Sequence, residues 1–232
     1  MAEGLAQWLR RIVSPCRCGM CGARMATDEG IICPACSARL PRRDDTLNAT
    51  DNSAARLVMQ HVGVCRGAAW VDYVPRSEFA DMIYGMKYHR HPETALKLGI
   101  MIAREMLPGG FFDGIDTIVP LPLHPIRERE RGYNQSREFA HGLSRVLRLP
   151  VEDGAVARIR NTRSQTSLMP SQRMANVECA FSVTQPGRLR GRHALLVDDI
   201  VTTGASLSAC MKEMAAVEGV RLSFLTIGKT LY

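Results

Sequence analysis

The sequence predicts an α/β protein, a mostly parallel sheet flanked by helices, with a small zinc-binding element near its N-terminal end. Three observations predict it. Apolar and β-branched runs alternate with helical stretches from Ser53 onward, the pattern of a parallel sheet covered on both faces. One such run, Leu195-Leu196-Val197, passes into Asp198-Asp199 and then a small, hydroxyl-rich turn that includes Thr202-Thr203-Gly204-Ala205-Ser206. Cys18-Gly-Met-Cys21 and Cys33-Pro-Ala-Cys36 form two Cys-x-x-Cys pairs separated by eleven residues.

Taken in order, the chain divides into residues 1–40, a linker over 41–52 and a main domain over 53–232. Leu5 to Val13, with Trp8, Arg10 and Arg11, reads as a short amphipathic helix, too short and too mixed for a signal peptide. In the cysteine pairs, each tight turn presents two thiolates, and two such turns complete a closed tetrahedral zinc site through Cys18, Cys21, Cys33 and Cys36. Disulfides are the competing account, disfavoured in a reducing compartment. Cys16 can swap in, stay free or serve elsewhere. Cys65, Cys179 and Cys210 lie among apolar neighbours and read as small core residues.

After the linker, Ser53 to Val62 reads as a helix, Cys65 to Val74 as a strand, Arg76 to Tyr88 as a helix and Pro92 to Met106 as another. Gly109-Gly110 breaks the chain. A strand over Asp116 to Pro120 leads to a rigid, proline-rich loop, Leu121 to Gln135, and a helix follows from Ser136 to Leu147. The run Leu207 to Ala216 is the last helix.

No apolar run reaches the ~18 residues of a membrane helix, so no membrane insertion is expected, and the cysteine usage predicts a cytoplasmic protein. The net charge of +7 over 232 residues is spread along the chain and suits anionic ligands without demanding nucleic acid.

The chemistry concentrates in three places. After the Leu195 strand, a turn that opens a helix offers unpaired backbone N–H groups and a positive dipole end to a phosphate. Thr202, Thr203 and Ser206 add hydroxyls, and Gly204 lets the backbone approach closely. Two adjacent carboxylates would repel a bare phosphate, so Asp198 and Asp199 need a different role, either accepting hydrogen bonds from sugar hydroxyls or facing a divalent cation. In the second place, Arg127, Arg129 and Arg131 supply guanidinium forks for phosphate oxygens, although Glu128 and Glu130 screen them and a solvated charge run is the alternative. In the third, Gly154 to Val177 carries Arg158, Arg160, Arg163 and Arg173 and no acid; it reads as a lid or as a surface loop. The histidines His89, His91, His124 and His193 read as surface or structurally satisfied groups.

The strand, acid pair and turn resemble the phosphoribosyl pyrophosphate (PRPP) signature of type I phosphoribosyltransferases. That resemblance implies Asp198 and Asp199 for the ribose hydroxyls and Thr202 to Ser206 for the 5-phosphate. A wider set of motifs resembles the competence protein F-like (ComF-like) family. It comprises the four-cysteine knuckle, Ile83-Tyr84-Gly85-Met86-Lys87-Tyr88, Val119-Pro120-Leu121-Pro122, Arg131-Gly132-Tyr133-Asn134-Gln135, Arg163-Ser164-Gln165 through Leu168, Arg173, Asn176-Val177, Ala180-Phe181 and the acid-pair turn.

This resemblance implies a PRPP-binding set of Val197, Asp198, Asp199, Thr202, Thr203, Gly204, Ala205, Ser206, Pro120, Leu121 and Arg131. It also implies Mg²⁺ carrying the pyrophosphate and transfer to an unidentified nucleophilic acceptor; the candidate catalytic residues are Asp198 and Asp199, on the sugar, and Arg131 and Arg163, on the leaving group. A link to DNA uptake or processing, with partners from it, belongs to the family rather than to these residues. Two rival functions remain open, a non-catalytic PRPP or nucleotide sensor and a single-stranded DNA-binding accessory protein. The second is poorly served by aromatic residues near the knuckle, where only Trp8 offers a flat ring.

Overall fold

The computed structural model describes residues 16–25, 30–46, 48–88, 91–161 and 179–231. Among them are the strands β1 (Arg66–Tyr73), β2 (Thr117–Pro120), β3 (Val156–Arg158), β4 (Phe181–Val183), β5 (His193–Val201) and β6 (Arg221–Thr230). The helices are α1 (Pro34–Ala38), α2 (Ser53–Met59), α3 (Glu78–Tyr88), α4 (Pro92–Met106), α5 (Pro125–Arg131), α6 (Gln135–Leu147) and α7 (Ala205–Ala215). The main sheet runs β1-β6-β5-β2 with every neighbour parallel, and β3 and β4 form a separate antiparallel pair.

Strand side chains alternate between faces, and both faces of this sheet are covered. Along β5, Leu195 and Val197 enter a core with Ile83 and Met86 of α3, Leu98 of α4 and Phe139 of α6. Ala194 and Leu196 enter the opposite core with Val58 of α2, Met211 of α7 and Phe181 of β4. This explains why β5 reads as an unbroken apolar run. A parallel strand buried on both sides has no solvent face to mark with polar residues.

Helices α4 and α6 touch backbone to backbone. A Cβ on Gly142 would stand 2.1 Å from the Leu96 carbonyl oxygen, and one on Gly99 would stand 2.4 Å from that of Phe139. The close approach fixes the height of α6 against the sheet, and hence where its N-terminal residues meet the end of β5. The outer edge of β1 is closed by the stretch that follows the knuckle. Arg43 N donates to Trp70 O (3.0 Å) and Asp72 N to Pro41 O (2.9 Å). Asp45, buried, accepts from Ala69 N at 3.0 Å and pairs with Arg43 at 3.0 Å, so an otherwise open sheet edge is satisfied by a carboxylate.

Several local expectations change. The proline-rich segment is not a loop throughout, because α5 occupies Pro125–Arg131. His124 caps it by accepting from Ile126 N, Pro125 takes the first helical position, and Gly132 ends it at φ 85°. Strand β5 runs on through both acids to Val201, held by its register with β6, in which Asp198 faces Thr226 and Ile200 faces Gly228. Of the three cysteines expected in the core, Cys210 is buried while Cys65 and Cys179 are exposed. Cys65 sits just ahead of β1, where its strand-like bond to Leu222 O leaves the side chain at the sheet end, and Cys179 lies at φ 56° in the turn before β4. Leu5 to Val13 lies outside the described residues.

Candidate functional site

At the carboxyl ends of β5 and β2, a cavity of about 440 Å³ opens between α3, α5, α6 and α7. Its floor is the acid pair. Consecutive strand residues point to opposite sides, so Asp198 and Asp199 meet different partners. Ser136 Oγ, at the start of α6, donates to Asp198 Oδ1 at 2.8 Å. Asp199, 8% exposed, takes Lys87 Nζ from the end of α3 at 3.0 Å on Oδ2 and its neighbour Ile200 N at 2.6 Å on Oδ1. Burial, and then the charge of Asp199, pushes the Asp198 carboxyl up to about 7, while Ser136 works in the other direction. Burial alone would lower the Lys87 ammonium, but Asp199 and then Asp198 outweigh it, and its pKa is raised.

The cationic wall comes from α5. Helical spacing puts Arg127 and Arg131 on one face, both lining the cavity, whereas Arg129 between them is exposed and does not line it. Arg131 donates to Gln135 Oε1 at 2.9 Å and lies over the Tyr88 ring at 5.7 Å. The loop after α5 is pinned in turn. Tyr133 OH donates to Met86 O, Asn134 Nδ2 to Leu121 O at 3.0 Å, and Asn134 Oδ1 caps α6 by accepting from Ser136 N. Burial pushes the Tyr133 phenol up to about 12, so it stays a neutral donor. Arg158 of β3 reaches the same cavity, its guanidinium 5.3 Å from the Phe181 ring.

An adjoining space of about 110 Å³ is lined by Thr202, Thr203, Gly204, Ala205 and Ser206, and it shares Asp198 and Ser206 with the larger cavity. Gly204, at φ 75°, turns the chain into α7, and no side chain caps that helix. The amide groups of the first turn therefore have no side-chain partner, and Thr203, which lines this space, has a buried Oγ1 without one. Gln135 Nε2 is a second buried polar atom without a partner beside the larger cavity. Orphaned donors at a helix N-terminus next to empty volume match what a phosphate requires.

Of the residues expected from sequence, Asp198, Asp199, Arg131, Leu121 and Ser206 surround the large cavity, and Thr202, Thr203, Gly204 and Ala205 the small one. Val197 and Pro120 lie buried in the strands below, with Val197 O accepting from Leu121 N at 2.9 Å. Arg163, Arg173 and most of the expected lid lie outside the described residues. Lys87, Gln135 and Ser136 also line the site, and sequence reasoning does not single them out for it. Their signal is weak, since each sits at a helix end where a polar residue is ordinary.

The second candidate centre is the knuckle. Sulfur atoms of Cys18, Cys21, Cys33 and Cys36 all lie within 4.8 Å of one another, and those of Cys21 and Cys33 are 3.8 Å apart. Ligands 2.3 Å from a tetrahedral zinc ion would be roughly 3.8 Å apart, so the four could hold such a metal. Burial would raise the Cys18 thiol, but the backbone N–H groups of Cys33, at 3.3 Å, Cys21 and Met20 bring it down to about 6 and favour the thiolate. Cys16 stands apart, with its sulfur 3.6 Å from Lys97 Nζ.

Comparison with known proteins agrees with this layout. A family model for the phosphoribosyl transferase domain matches residues 134–227, the stretch from α6 through β6. The chain is 32% identical over 203 residues to the DNA utilization protein YhgH of Escherichia coli K12, covering 84% of this chain and 88% of the relative. It is 36% identical over 98 residues to competence protein F of Haemophilus influenzae, covering 42% and 43% of the two chains. With competence protein ComFC of Bacillus subtilis the identity is 33% over 108 residues, covering 45% and 41%. The parallel sheet, the domain match and the near full-length relative together make the chain a member of the competence protein F (ComF)-like family, built on a type I phosphoribosyltransferase-like fold.

Proposed function

We propose that the double cavity binds PRPP and that the protein transfers its 5-phosphoribosyl group to a nucleophilic acceptor, releasing pyrophosphate. One observation carries this reading: two acids able to receive sugar hydroxyls share a wall with an uncapped helix N-terminus and the unpartnered Thr203 hydroxyl. Asp198 and Asp199 accept from the ribose 2′ and 3′ hydroxyls. The turn Thr202–Ser206 and the α7 amides take the 5-phosphate, with Val197, Pro120 and Leu121 setting the height of the floor. In the reaction, the acceptor's lone pair forms a bond to the anomeric carbon as the bond to pyrophosphate breaks, and that bonding pair leaves with the pyrophosphate. Arg131 meets the growing negative charge, a task that the family resemblance also gives to Arg163, which lies outside the described residues.

Asp198 and Asp199, hard oxygen donors beside an anion site, would suit Mg²⁺, which would supply charge neutralisation for the leaving pyrophosphate. The acceptor enters beside Tyr88, which lines the cavity and is exposed. The names of the relatives direct the choice of acceptors and partners to DNA utilization and competence, and a cytoplasmic location is part of the proposal. Among the described residues, no helix is long and apolar enough to cross a membrane.

The test is pyrophosphate release from PRPP and Mg²⁺ across a panel of small nucleophiles, with Arg131→Ala as control. The reading predicts release that needs one class of acceptor and falls at least about tenfold in the variant, the loss of one charge-assisted contact. Tight PRPP binding with no release for any acceptor would replace transfer by sensing.

A further inference from the structure

Lys87 is the one lysine among the residues lining the large cavity. It arrives there because α3 ends at Tyr88 with its last turn held from two sides, by the Tyr133 hydroxyl on Met86 O and by Arg131 against Tyr88. Its side chain, 23% exposed, pairs with Asp199 Oδ2 at 3.0 Å. With Ile200 N on Oδ1, both Asp199 oxygens already have a donor, and the ammonium competes with any ribose hydroxyl for Oδ2. Arg131 lies close enough for its like charge to oppose Lys87, which favours the acids over the arginine side while that side holds no anion. A lysine has a flexible four-carbon stem and a compact charge with three donors, so it can exchange one anionic partner for another inside the same cavity.

Resting on the phosphoribosyl reading above, we propose that Lys87 is a positioning and specificity residue that selects a pyrophosphate-bearing sugar. In the ligand-free site it holds the acid pair. When a diphosphorylated ribose enters, the sugar hydroxyls take Asp199, and the displaced ammonium moves to the pyrophosphate, whose charge has cancelled the repulsion from Arg131. Ribose 5-phosphate displaces the lysine equally but offers it nothing in exchange. Discrimination between the two sugars therefore runs through Lys87.

The test is calorimetric titration of full-length wild type, Lys87→Met and Lys87→Arg with PRPP and Mg²⁺, and separately with ribose 5-phosphate. Thermal unfolding of each variant confirms a folded protein. The expected result for K87M is PRPP binding weakened about tenfold or more, with ribose 5-phosphate binding unchanged or tighter because Asp199 no longer has a competitor. K87R retains at least half of the discrimination on a logarithmic scale. Equal weakening for both sugars would make Lys87 merely structural and overturn the proposal, as would no change for either while wild type binds. Wild type that binds neither sugar would overturn the phosphoribosyl reading itself, and this inference with it.

Discussion

The knuckle and the end of β5 are both built from a short motif, yet they stand in opposite relations to the core. In the knuckle, four sulfurs gather at the rim of the core: Cys18, Ile32, Cys36 and Leu40 share a buried cluster with Phe79 and Met82 of α3, and Met20, Met25 and Ile31 pack against it. At the end of β5 the core comes first. Two-sided burial of Leu195 to Val197, together with the Gly99–Gly142 contact between α4 and α6, fixes a frame that carries Asp198 and Asp199, each already paired, beside an uncapped helix and the unpartnered Thr203 Oγ1. The second motif draws on a frame built without it, as ligand sites do, whereas the first would stabilise its own segment only while it holds a metal.

The contrast breaks most sharply under metal removal. Structural zinc contributes roughly 10–16 kcal/mol of apparent binding energy in small zinc-binding peptides, so chelation or Cys33→Ser should open the knuckle. Hydrogen exchange is expected to accelerate across residues 16–40 and stay slow in β5 and β6; loss of protection throughout the sheet would show that the two regions form one cooperative unit. The next largest effect should come from the frame. Gly142→Ala puts a methyl group against the Leu96 carbonyl and should cost about 3 kcal/mol in denaturant unfolding, the upper part of the usual overpacking range. An unchanged midpoint would mean that α4 and α6 slide apart freely and that the strand end does not depend on them.

The smallest expected effect is on pH. Because burial raises the Asp198 carboxyl from 3.8 to about 7, the folded state keeps its proton longer than the unfolded chain. Its contribution is therefore most favourable below pH 4 and declines as pH rises through that window, reaching a plateau above about 7. Asp198→Asn should flatten this part of the stability profile. The ionised carboxylate is the better acceptor for sugar hydroxyls, so PRPP affinity should improve as pH rises through about 7, with proton release that Asp198→Asn lessens, measured in buffers of different ionisation heat. No proton release would mean that Asp198 is already ionised in the free protein.

Most of the frame is legible in the sequence because it depends on local periodicity. The strand before Asp198, the pairing of Cys18–Cys21 with Cys33–Cys36 and the span Pro92–Met106 each carry their own signal. Helix α5 carries one too, with Pro125 at its first position and Gly132 just past its last, but three prolines in six residues suggest a loop more strongly than these caps suggest a short helix. Lys87 is of a different kind. A lysine near the end of a helix reads as solvent-facing, and only the packing of α3 against β5 brings it to Asp199. Exposure of Cys65 and Cys179 is equally hidden, since it depends on where a strand begins and on one left-handed residue.

The central claim, that the end of β5 is a ribose 5-phosphate site, is tested most directly by titrating folded, metal-loaded protein with PRPP and Mg²⁺ beside Asp198→Asn/Asp199→Asn. The account predicts saturable binding by wild type and a loss of about a hundredfold or more in the double variant, or roughly 2.7 kcal/mol, with unfolding temperature preserved. Equal binding by both proteins, or none by the wild type, would contradict it.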